Sequence, residues 1–435
     1  MQKGENDYLE IFRKTGGNNQ KWEVKKIDHE YYLINNLQKI GNKNCYLDVE
    51  GARKTNNTTV IVYNGHGQDN EKWKLLPIPD TKISASASLP LPLSLPPLSS
   101  SIIHMKHLLE SESFKNIIFQ GPPGTSKTYK AKLLAASVVL GEDDDKKLEQ
   151  IIQEEGNIEQ SEFSKARFPG EGPKGAWSIV QFHPAYNYED FVRGIEVKGI
   201  EVKGNGATVS YNAVRRIFDR MAYAAWKAYR KDAENCPKYV LIVEEINRAH
   251  LAAVLGELIY ALEYRGSPVD SPYAVQDEGK ESTKIIVPPN LYIIGTMNTA
   301  DRSIGHIDYA VRRRFAFVPL LPEEEPINSD SGKELFREIK NLFKAENGGR
   351  AKTLSPEFHA DDVQPGHTYF ITRNSEVIDE LANKFTYQVY PLLREYFKDG
   401  VLINVPKLFD GKLALDTPIP PKEVLEIVKS FLGRP

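Results

Sequence analysis

The sequence has few cysteines, no long apolar run and no large excess of charge of either sign. Its 435 residues include 2 cysteines, Cys45 and Cys236, and 56 basic against 59 acidic side chains, for a net charge of −3. Two cysteines so far apart in the sequence exclude a disulfide framework and a cysteine-ligated zinc site. The balanced charge excludes a strongly basic nucleic-acid surface over the whole chain, although it allows a local basic patch.

The sequence also predicts neither a targeting nor an anchoring segment. The first residues, MQKGENDYLE, lack the apolar core of a secretory signal peptide. No run of about 18 apolar residues occurs, so no membrane span is expected. Together with the low cysteine content, these features predict a cytoplasmic protein.

A tract rich in Ser, Pro and Leu, TKISASASLPLPLSLPPLSSS, occupies residues 81–101. Its repeated prolines forbid helix and favour extended conformations, which predicts an interdomain linker. Before it, residues 1–80 are rich in Tyr, Asn, Gly and Trp, which predicts an all-β domain. After it, alternating strands and helices predict an α/β domain over residues 102–325, with a parallel sheet covered on both faces. Helical patterns then predict a small helical domain over residues 326–435.

The spacing of apolar residues predicts the individual elements after the linker. Strands are expected at Asn116–Gln120, Ser178–Phe182, Tyr239–Val243, Leu291–Gly295 and Phe315–Val318. Helices are expected at Lys127–Leu140, Ala213–Tyr229, Leu251–Glu263, Glu376–Phe397 and Pro421–Phe431. The charged stretch 142–175 is predicted to be a solvent-exposed, partly helical insertion.

The first motif that carries chemistry is NIIFQGPPGTSKTYKAKLLA, residues 116–135. A strand that leads through a Gly/Pro loop to Lys-Thr and a helix is the arrangement of a P-loop. Loop N–H groups would cradle phosphates, Lys127 would reach the β- and γ-phosphates, and Thr128 would ligate Mg²⁺. A turn and helix without a ligand is the alternative, and Ser126 replaces a usual glycine. The predicted nucleotide-binding residues are Gly121, Pro122, Pro123, Gly124, Thr125, Ser126, Lys127 and Thr128.

The second motif is YVLIVEEINRA, residues 239–249, in which a buried strand ends in Glu244 and Glu245. In phosphoryl transfer, one acid at this place holds Mg²⁺ and another polarises the attacking water. A strand that simply emerges into solvent is the alternative, and the preceding P-loop favours the catalytic interpretation. Glu244 stands where the shorter Asp is usual, so its contact with the metal is expected to shift.

The third motif is LYIIGTMNTADRSIGHIDYAVRRR, residues 291–314, in which an apolar strand ends in Asn298. We expect Asn298 to lie beside Glu245 and to position the attacking water. Three consecutive arginines, Arg312–Arg314, cannot all be buried without partners. They lie too far along the chain to fold back easily on their own nucleotide, so an arginine that reaches a neighbouring subunit's γ-phosphate is expected. A solvated or nucleic-acid-facing basic run is the alternative.

Taken in order, GPPGTSKT, EEINRA, GTMNTADRS and DYAVRRRF resemble the AAA+ motor of the McrB family, the NTPase subunits of modification-dependent restriction systems. FHPAYNYEDFVRGI (182–195) and QPGHTYF (364–370) are similar to that family's intermediate and lid signatures, which implies that the helical domain at residues 326–435 is an AAA+ lid domain. The resemblance covers about residues 102–400. It implies a ring, usually hexameric, with the site between protomers, and GTP as substrate, although the residues themselves leave ATP open. It also implies a separate McrC-like endonuclease and contact with DNA through the complex.

The resemblance also implies a role for each matching residue. Thr128 and Glu244 are assigned to Mg²⁺. The catalytic set comprises a Walker B glutamate, a sensor amide, two interfacial arginines and two supporting residues: Glu245, Asn298, Arg313, Arg314, Asp308 and Arg302.

Residues 44–75 resemble a ricin-type β-trefoil lectin repeat, and GGNNQKWEV (16–24) echoes GQDNEKWKL (67–75). In such repeats an acid, an aromatic ring and an amide bind a sugar, and the resemblance assigns these roles to Asp48, Tyr63 and Asn70. Roughly one and a half repeats are present where a complete trefoil needs three. The alternative is therefore a partial trefoil with no sugar affinity.

Three functions are compatible with these motifs. The first is a ring-forming, GTP-dependent motor of a restriction or antiviral defence complex, whose N-terminal domain senses a ligand such as a glycan or a modified base. No nuclease motif is evident in the chain, so cleavage would need the McrC-like partner. The second is an ATP-dependent AAA+ remodeller of proteins. The third is a lectin-like binding module on a nucleotide-switched scaffold, with Ser126 and Glu244 as marks of weak hydrolysis.

Overall fold

The chain divides into two compact units, residues 1–93 and 94–435. The structure is a computed structural model. It describes these residues: 8–10, 21–26, 31–40, 43–49, 60–63, 72–74, 102–111, 114–155, 161–168, 175–203, 206–301, 307–345, 348–373 and 377–433. The predicted linker, residues 81–101, lies outside these ranges.

The described part of the first unit forms one antiparallel sheet. Its strands are β1 (Tyr8–Glu10), β2 (Lys21–Lys26), β3 (Tyr31–Ile40), β4 (Lys43–Val49), β5 (Val60–Tyr63) and β6 (Lys72–Lys74). Strands β1 to β5 neighbour one another in chain order, and β6 pairs with β3. The backbone places Asp48 opposite Ile61 and Tyr63 opposite Tyr46 on adjacent strands β4 and β5. The third predicted sugar-binding residue, Asn70, lies outside the described residues.

The second unit begins with an α/β region that extends from residue 102 to residue 319. Its helices are α1 (Ile102–Glu110), α2 (Lys127–Leu140), α3 (Asp145–Gln153), α4 (Glu162–Lys165), α5 (Tyr188–Phe191), α6 (Ile217–Lys231), α7 (Leu251–Leu255), α8 (Leu258–Ala261) and α9 (Tyr309–Arg312). Its strands are β7 (Asn116–Gly121), β8 (Gly175–Gln181), β9 (Arg193–Lys203), β10 (Gly206–Arg215), β11 (Lys238–Glu244), β12 (Pro268–Asp277), β13 (Lys280–Ile286), β14 (Leu291–Asn298) and β15 (Ala316–Pro319).

Five of these strands form a parallel sheet in the order β15-β7-β14-β11-β8. Alternate residues of β11 face opposite cores, because successive side chains of a strand point to opposite faces. Leu241 packs into the core that also buries residues of α6, α7 and α8. Val240 packs into the core that buries residues of α1 and α2. The predicted parallel sheet with helices on both faces is therefore confirmed.

Three local predictions for this region were wrong in part. The helix expected at Ala213–Tyr229 begins only at Ile217, because the residues before it form β10 and pair with β9. The helix expected at Leu251–Glu263 is split into α7 and α8 at Gly256, whose φ of 51° lies in the left-handed region.

The third of these predictions concerned the stretch 142–175, which is not wholly solvent-exposed. Leu148 and Phe163 are fully buried. The ring of Phe163 stacks on that of Trp177 of β8, with 4.2 Å between centroids. The insertion therefore closes one face of the sheet.

Two antiparallel hairpins, β9–β10 and β12–β13, were not expected from the sequence. The buried guanidinium of Arg193 connects the start of β9 with both the second hairpin and α6. It forms an ion pair with Asp219 at 2.6 Å. It also donates to four main-chain carbonyls of the second hairpin, those of Tyr273, Ser282, Thr283 and Lys284.

The remainder of the chain is mostly helical and buries a core of its own. Its elements are α10 (Asp330–Lys340), α11 (Ala360–Val363), α12 (Val377–Lys384), α13 (Tyr390–Lys398), β16 (Lys407–Leu408), β17 (Leu413–Ala414) and α14 (Pro421–Leu432). A π-helical stretch, Phe385–Val389, joins α12 to α13, so the long helix predicted at Glu376–Phe397 is nearly continuous. This mostly helical region, from Asp330 onwards, is called the lid below. Within the described residues, no helix is both long and apolar enough to cross a membrane.

Candidate functional site

A cavity of about 820 Å³ opens beside the carboxyl ends of β7, β11 and β14. The strand order reverses around β7, and such a switch point is where doubly wound sheets bind ligands. Its lining brings together residues from all three predicted motifs: Gly124, Ser126, Lys127, Thr128, Glu244, Glu245 and Asn298.

The loop between β7 and α2 has the close packing that a phosphate-binding loop requires. Gly124 has φ 81°, and a Cβ atom there would come within 2.6 Å of the Tyr369 ring. Thr125 is buried, and its hydroxyl donates to the Pro122 carbonyl at 3.0 Å. These contacts hold the loop at the cavity, which Gly124, Ser126 and the start of α2 line, and the N–H groups of such a loop and helix start can bind an anion.

Lys127 folds back over this loop. Its ammonium group donates to the carbonyls of Gly121 at 2.9 Å and Pro122 at 2.7 Å. Burial lowers the pKa of Lys127 to about 8, against the opposing effect of Glu245 and Glu244. The ammonium group is therefore still mostly protonated at neutral pH, and it loses its proton at only slightly higher pH.

Glu244 and Thr128 form the side of the site that was predicted to hold Mg²⁺. The Thr128 hydroxyl donates to Glu244 Oε2 at 2.7 Å, and burial raises the pKa of Glu244. Glu244 Oε1 is buried and has no hydrogen-bond partner among the described residues. An oxygen left unpaired beside a hydroxyl suits a hard cation, and Mg²⁺ typically takes one or two carboxylates together with substrate phosphates.

Glu245 is held in an unusual backbone conformation at the end of β11. Its φ is 52° and ψ is 45°, in the left-handed region that non-glycine residues rarely occupy. Its N–H donates to the Thr296 hydroxyl at 3.2 Å. Its carboxylate lies 3.2 Å from Arg248 Nε, in an ion pair without the alignment of a hydrogen bond. Arg248 in turn lies 3.6 Å from Asp301.

Asn298, the predicted sensor amide, is at the end of the strand that neighbours β11. Its side-chain oxygen accepts from the Ala300 N–H at 3.3 Å, and its carbonyl accepts from Asn247 Nδ2 at 3.3 Å. Asn298 and Glu245 line the same cavity. The structure thus brings this amide and this carboxylate to the wall of one cavity.

The two predicted interfacial arginines differ in their surroundings. The side chain of Arg314 is 6% exposed, lies 2.5 Å from Glu263, and donates to the Ile259 carbonyl at 2.9 Å. The side chain of Arg313 is 65% exposed, and its contact with Glu263 is longer, at 3.3 Å. Asp308 caps α9 by accepting from the Ala310 N–H at 2.7 Å. Arg302 lies outside the described residues.

The lid reaches the phosphate loop through the segment 364–370, QPGHTYF. The N–H groups of Gly366 and Thr368 donate to the carbonyls of Pro123 at 2.8 Å and Gly124 at 3.0 Å. A Cβ atom at Gly366 would lie 2.1 Å from the Gly124 carbonyl oxygen, so this approach requires a glycine.

The sequence interpretation missed three groups that touch the predicted site: Thr296, Arg248 and His367. Arg248 could have been found, because it follows Glu245 by three residues on a tight turn. Thr296 belongs to an apolar strand and gave no local signal. His367 comes from the lid, and only the tertiary structure brings it to the loop.

Comparison with known proteins identifies two family matches. Residues 173–315 match the family described as AAA domain (dynein-related subfamily), and residues 18–92 match the ricin-type beta-trefoil lectin domain-like family. The chain therefore contains an AAA domain, the domain of P-loop NTPases, and a ricin-type lectin-like region before it.

Two of the similar proteins are components of restriction enzymes. The type IV methyl-directed restriction enzyme EcoKMcrB subunit of Escherichia coli (strain K12) is 29% identical over 308 residues, which cover 66% of this chain and 54% of that protein. The type II restriction enzyme BsuMI component YdiS of Bacillus subtilis (strain 168) is 34% identical over 109 residues, or 23% of this chain and 32% of that protein. The chain thus spans about half the length of the first of these relatives.

A further similar protein is a hemagglutinin component. The main hemagglutinin component type C of Clostridium botulinum C phage is 34% identical over 70 residues, which cover 16% of this chain and 23% of that protein.

Proposed function

We propose that this chain is the nucleotide-hydrolysing motor of an McrB-like restriction complex, that it prefers GTP to ATP, and that a separate McrC-like nuclease cuts the DNA. The observation that carries the proposal is the convergence of Lys127, Thr128, Glu244, Glu245 and Asn298 on one cavity at a sheet switch point. The AAA match and the similarity to the EcoKMcrB subunit support it.

Each of these residues then has a defined part in hydrolysis. Lys127 and the loop N–H groups bind the β- and γ-phosphates, and Thr128 and Glu244 hold Mg²⁺, which neutralises phosphate charge when bound. Glu245 accepts a proton from the attacking water, and Asn298 orients that water. For Glu245 to do so, its carboxylate must turn from Arg248 towards the γ-phosphate.

The active form is a ring, usually of six copies, in which Arg313 reaches the γ-phosphate bound by the next protomer. Arg313 has the exposure that such a contact requires, whereas Arg314 is engaged by Glu263 and Ile259 of its own chain. An arginine in this role is worth roughly 10³–10⁵ in rate. Asp308 supports the arginine by fixing the start of α9, and Arg302 is assigned a supporting role by the motif alone.

Steady-state hydrolysis of GTP and ATP, measured with and without an McrC-like nuclease, tests this function. We expect GTP to be hydrolysed faster than ATP and the nuclease to increase turnover. Glu245→Gln is the matched control: it should keep nucleotide binding and lose hydrolysis. The absence of hydrolysis with either nucleotide would exclude the motor function, and equal rates would exclude only the preference for guanine.

For the first unit we propose a sensor that binds a glycan or a sugar-modified base on the target DNA. The ricin-type match over residues 18–92 supports a carbohydrate-like ligand. Binding of the full chain to a glycan panel and to glucosylated and unmodified DNA tests this proposal. Loss of binding in Asp48→Ala, with nucleotide hydrolysis retained, is the expected result. Equal affinity for modified and unmodified DNA, with no glycan bound, would contradict it.

A further inference from the structure

Ser126 departs from the usual glycine of the phosphate loop and has a backbone conformation that favours glycine. Its φ is 61° and its ψ is 25°, and its side chain makes no capping hydrogen bond to α2. The left-handed conformation is unfavourable for an L-residue. An interaction outside α2 must therefore orient the Ser126 side chain.

The Ser126 side chain is directed towards the lid. Its Oγ lies 2.9 Å from Nε2 of His367, a side chain from a segment 241 positions away in the sequence. His367 is only 2% exposed. The two side chains thus form a contact between the phosphate loop and the lid that a glycine at position 126 could not make.

The direction of this hydrogen bond follows from the partners of the imidazole. Burial, helped by the nearby charge of Lys130, lowers the pKa of His367 to about 4, so the ring is neutral at pH 7. A neutral imidazole has one N–H donor and one acceptor nitrogen. Nδ1 accepts from the Glu323 N–H at 3.4 Å. The hydrogen is therefore assigned to Nε2, which donates to Ser126 Oγ.

The same hydrogen bond determines what Ser126 can do next. A serine hydroxyl can accept one hydrogen bond and donate another. Because Ser126 Oγ accepts from His367, its own O–H remains a donor on the wall of the phosphate cavity. Charge-assisted hydrogen bonds to phosphate are roughly twice as strong as neutral ones.

Two main-chain hydrogen bonds between the lid and the loop lie on either side of this contact. Gly366 and Thr368, on either side of His367, donate their N–H groups to Pro123 and Gly124 of the loop. The histidine is thus the central residue of a three-residue docking segment. A side-chain bond at its centre resists separation of the segment from the loop.

We propose that Ser126 and His367 form a positioning pair: their hydrogen bond holds segment 364–370 of the lid on the phosphate loop and turns the Ser126 hydroxyl towards a bound phosphate. Nucleotide release then requires this bond to break along with the two main-chain bonds. The pair is not a catalytic group, because it acts on lid position and nucleotide residence. The part concerning phosphate rests on the nucleotide-binding function proposed above.

Four variants of the full chain test the pair: Ser126→Gly, His367→Leu, His367→Gln and the double variant Ser126→Gly with His367→Leu. Ser126→Gly is the cleanest of them, because glycine relaxes the backbone at φ 61° and removes only the hydroxymethyl group. His367→Gln is the conservative control, because its amide nitrogen can replace the Nε2–H donor.

The first measurement needs no nucleotide. Hydrogen exchange of peptides that span residues 364–370 reports how often the lid segment leaves the loop. We expect Ser126→Gly to accelerate exchange about two- to tenfold, the usual worth of one hydrogen bond. His367→Gln should exchange much as the parent chain does. The added effect of His367→Leu should be smaller in the Ser126→Gly background than in the parent.

The second measurement is the dissociation rate of a fluorescent GTP or ATP analogue together with kcat and KM. Ser126→Gly should accelerate dissociation and raise KM, with a smaller change in kcat. Unchanged exchange in Ser126→Gly would overturn the pair, and so would an effect of His367→Leu that is equal in both backgrounds. A parent chain that binds neither nucleotide would contradict the proposed function, while the exchange data would still decide the role of the pair.

Discussion

Among single residues, Lys127 shows best how the folded chain changes the chemistry of a side chain. Its ammonium group is buried against two loop carbonyls and near two carboxylates. Desolvation outweighs the attraction of the carboxylates, because the removal of water disfavours the charged form most strongly. The lysine proposed to bind phosphate is thus itself close to losing its charge.

This environment predicts a pH dependence of nucleotide affinity. With a pKa of about 8, Lys127 is protonated below pH 8 and increasingly neutral above it. Phosphate favours the protonated form, so affinity should be level from pH 6.5 to 7.5 and fall above pH 8, by at most about tenfold per pH unit. Nucleotide titrations across this range measure the slope. Lys127→Arg is the control, because arginine keeps its charge, and an equal slope in that variant would assign the dependence elsewhere.

The two arginines at the end of α9 provide a second contrast between residues. Arg314 is buried and bonded within its own chain, whereas Arg313 is exposed. Arg314→Ala should therefore lower the free energy of unfolding by about 1–3 kcal/mol, because it removes a nearly buried side chain together with its ion pair to Glu263 and its hydrogen bond to the Ile259 carbonyl. Arg313→Ala should stay within about 0.5 kcal/mol of the parent. Urea denaturation of the nucleotide-free chain measures both, and equal losses would contradict the distinction.

At the scale of elements, the two hairpins depend on one buried ion pair. Arg193 is fully buried and satisfies Asp219 and four carbonyls of the β12–β13 hairpin. Burial raises the pKa of Asp219 in spite of its arginine partners. An element built from two strands has little core of its own, so this contact anchors the hairpins to the sheet domain.

The loss of this anchor has a predictable cost. Arg193→Met should lower the free energy of unfolding by about 3–5 kcal/mol, because it leaves a buried carboxylate without its main partner. Hydrogen exchange in residues 268–286 should rise with it. Arg216→Met is the matched control: Arg216 pairs with the half-exposed Glu196, and such a surface pair is worth less than about 1 kcal/mol. Similar losses in the two variants would refute the anchoring role.

At the scale of the whole molecule, the proposed ring divides each active site between two copies of the chain. Lys127, Glu244, Glu245 and Asn298 belong to one copy, whereas Arg313 would act on its neighbour. This division makes activity depend on assembly, since an isolated copy lacks the arginine at its own phosphates.

Mixing two inactive variants tests this division directly. Arg313→Ala retains its own phosphate site, and Lys127→Ala retains its arginine. Each alone should lose at least about 10³-fold in turnover, whereas a mixture should regain a measurable part of it, because intact halves meet at mixed interfaces. Hydrolysis by an equimolar mixture, followed as total protein concentration is raised, measures the effect. A mixture as inactive as its components would argue against action in trans.

The sequence by itself determined the parallel sheet, the phosphate loop and the paired acids. These features depend on local patterns: apolar runs for buried strands, a Gly/Pro loop before Lys-Thr, and polar residues where strands end. The ends of β7, β11 and β14 could be foreseen because parallel strands present their carboxyl ends at one edge. The hairpins were missed because their residues lie within stretches whose local pattern is ambiguous, and pairing between strands settled their structure.

Only the tertiary structure decided which of several equivalent residues could perform each role. Arg313 and Arg314 are the same residue type side by side and both contact Glu263, and only burial and the bond to the Ile259 carbonyl distinguish Arg314 from Arg313. In the sequence, Ser126 is only a replacement for the usual glycine. The fold places His367, which is far away in the sequence, in hydrogen-bond contact with it. The physical reason is common to both cases: burial and partner geometry are properties of the folded chain, and no local pattern encodes a contact between distant segments.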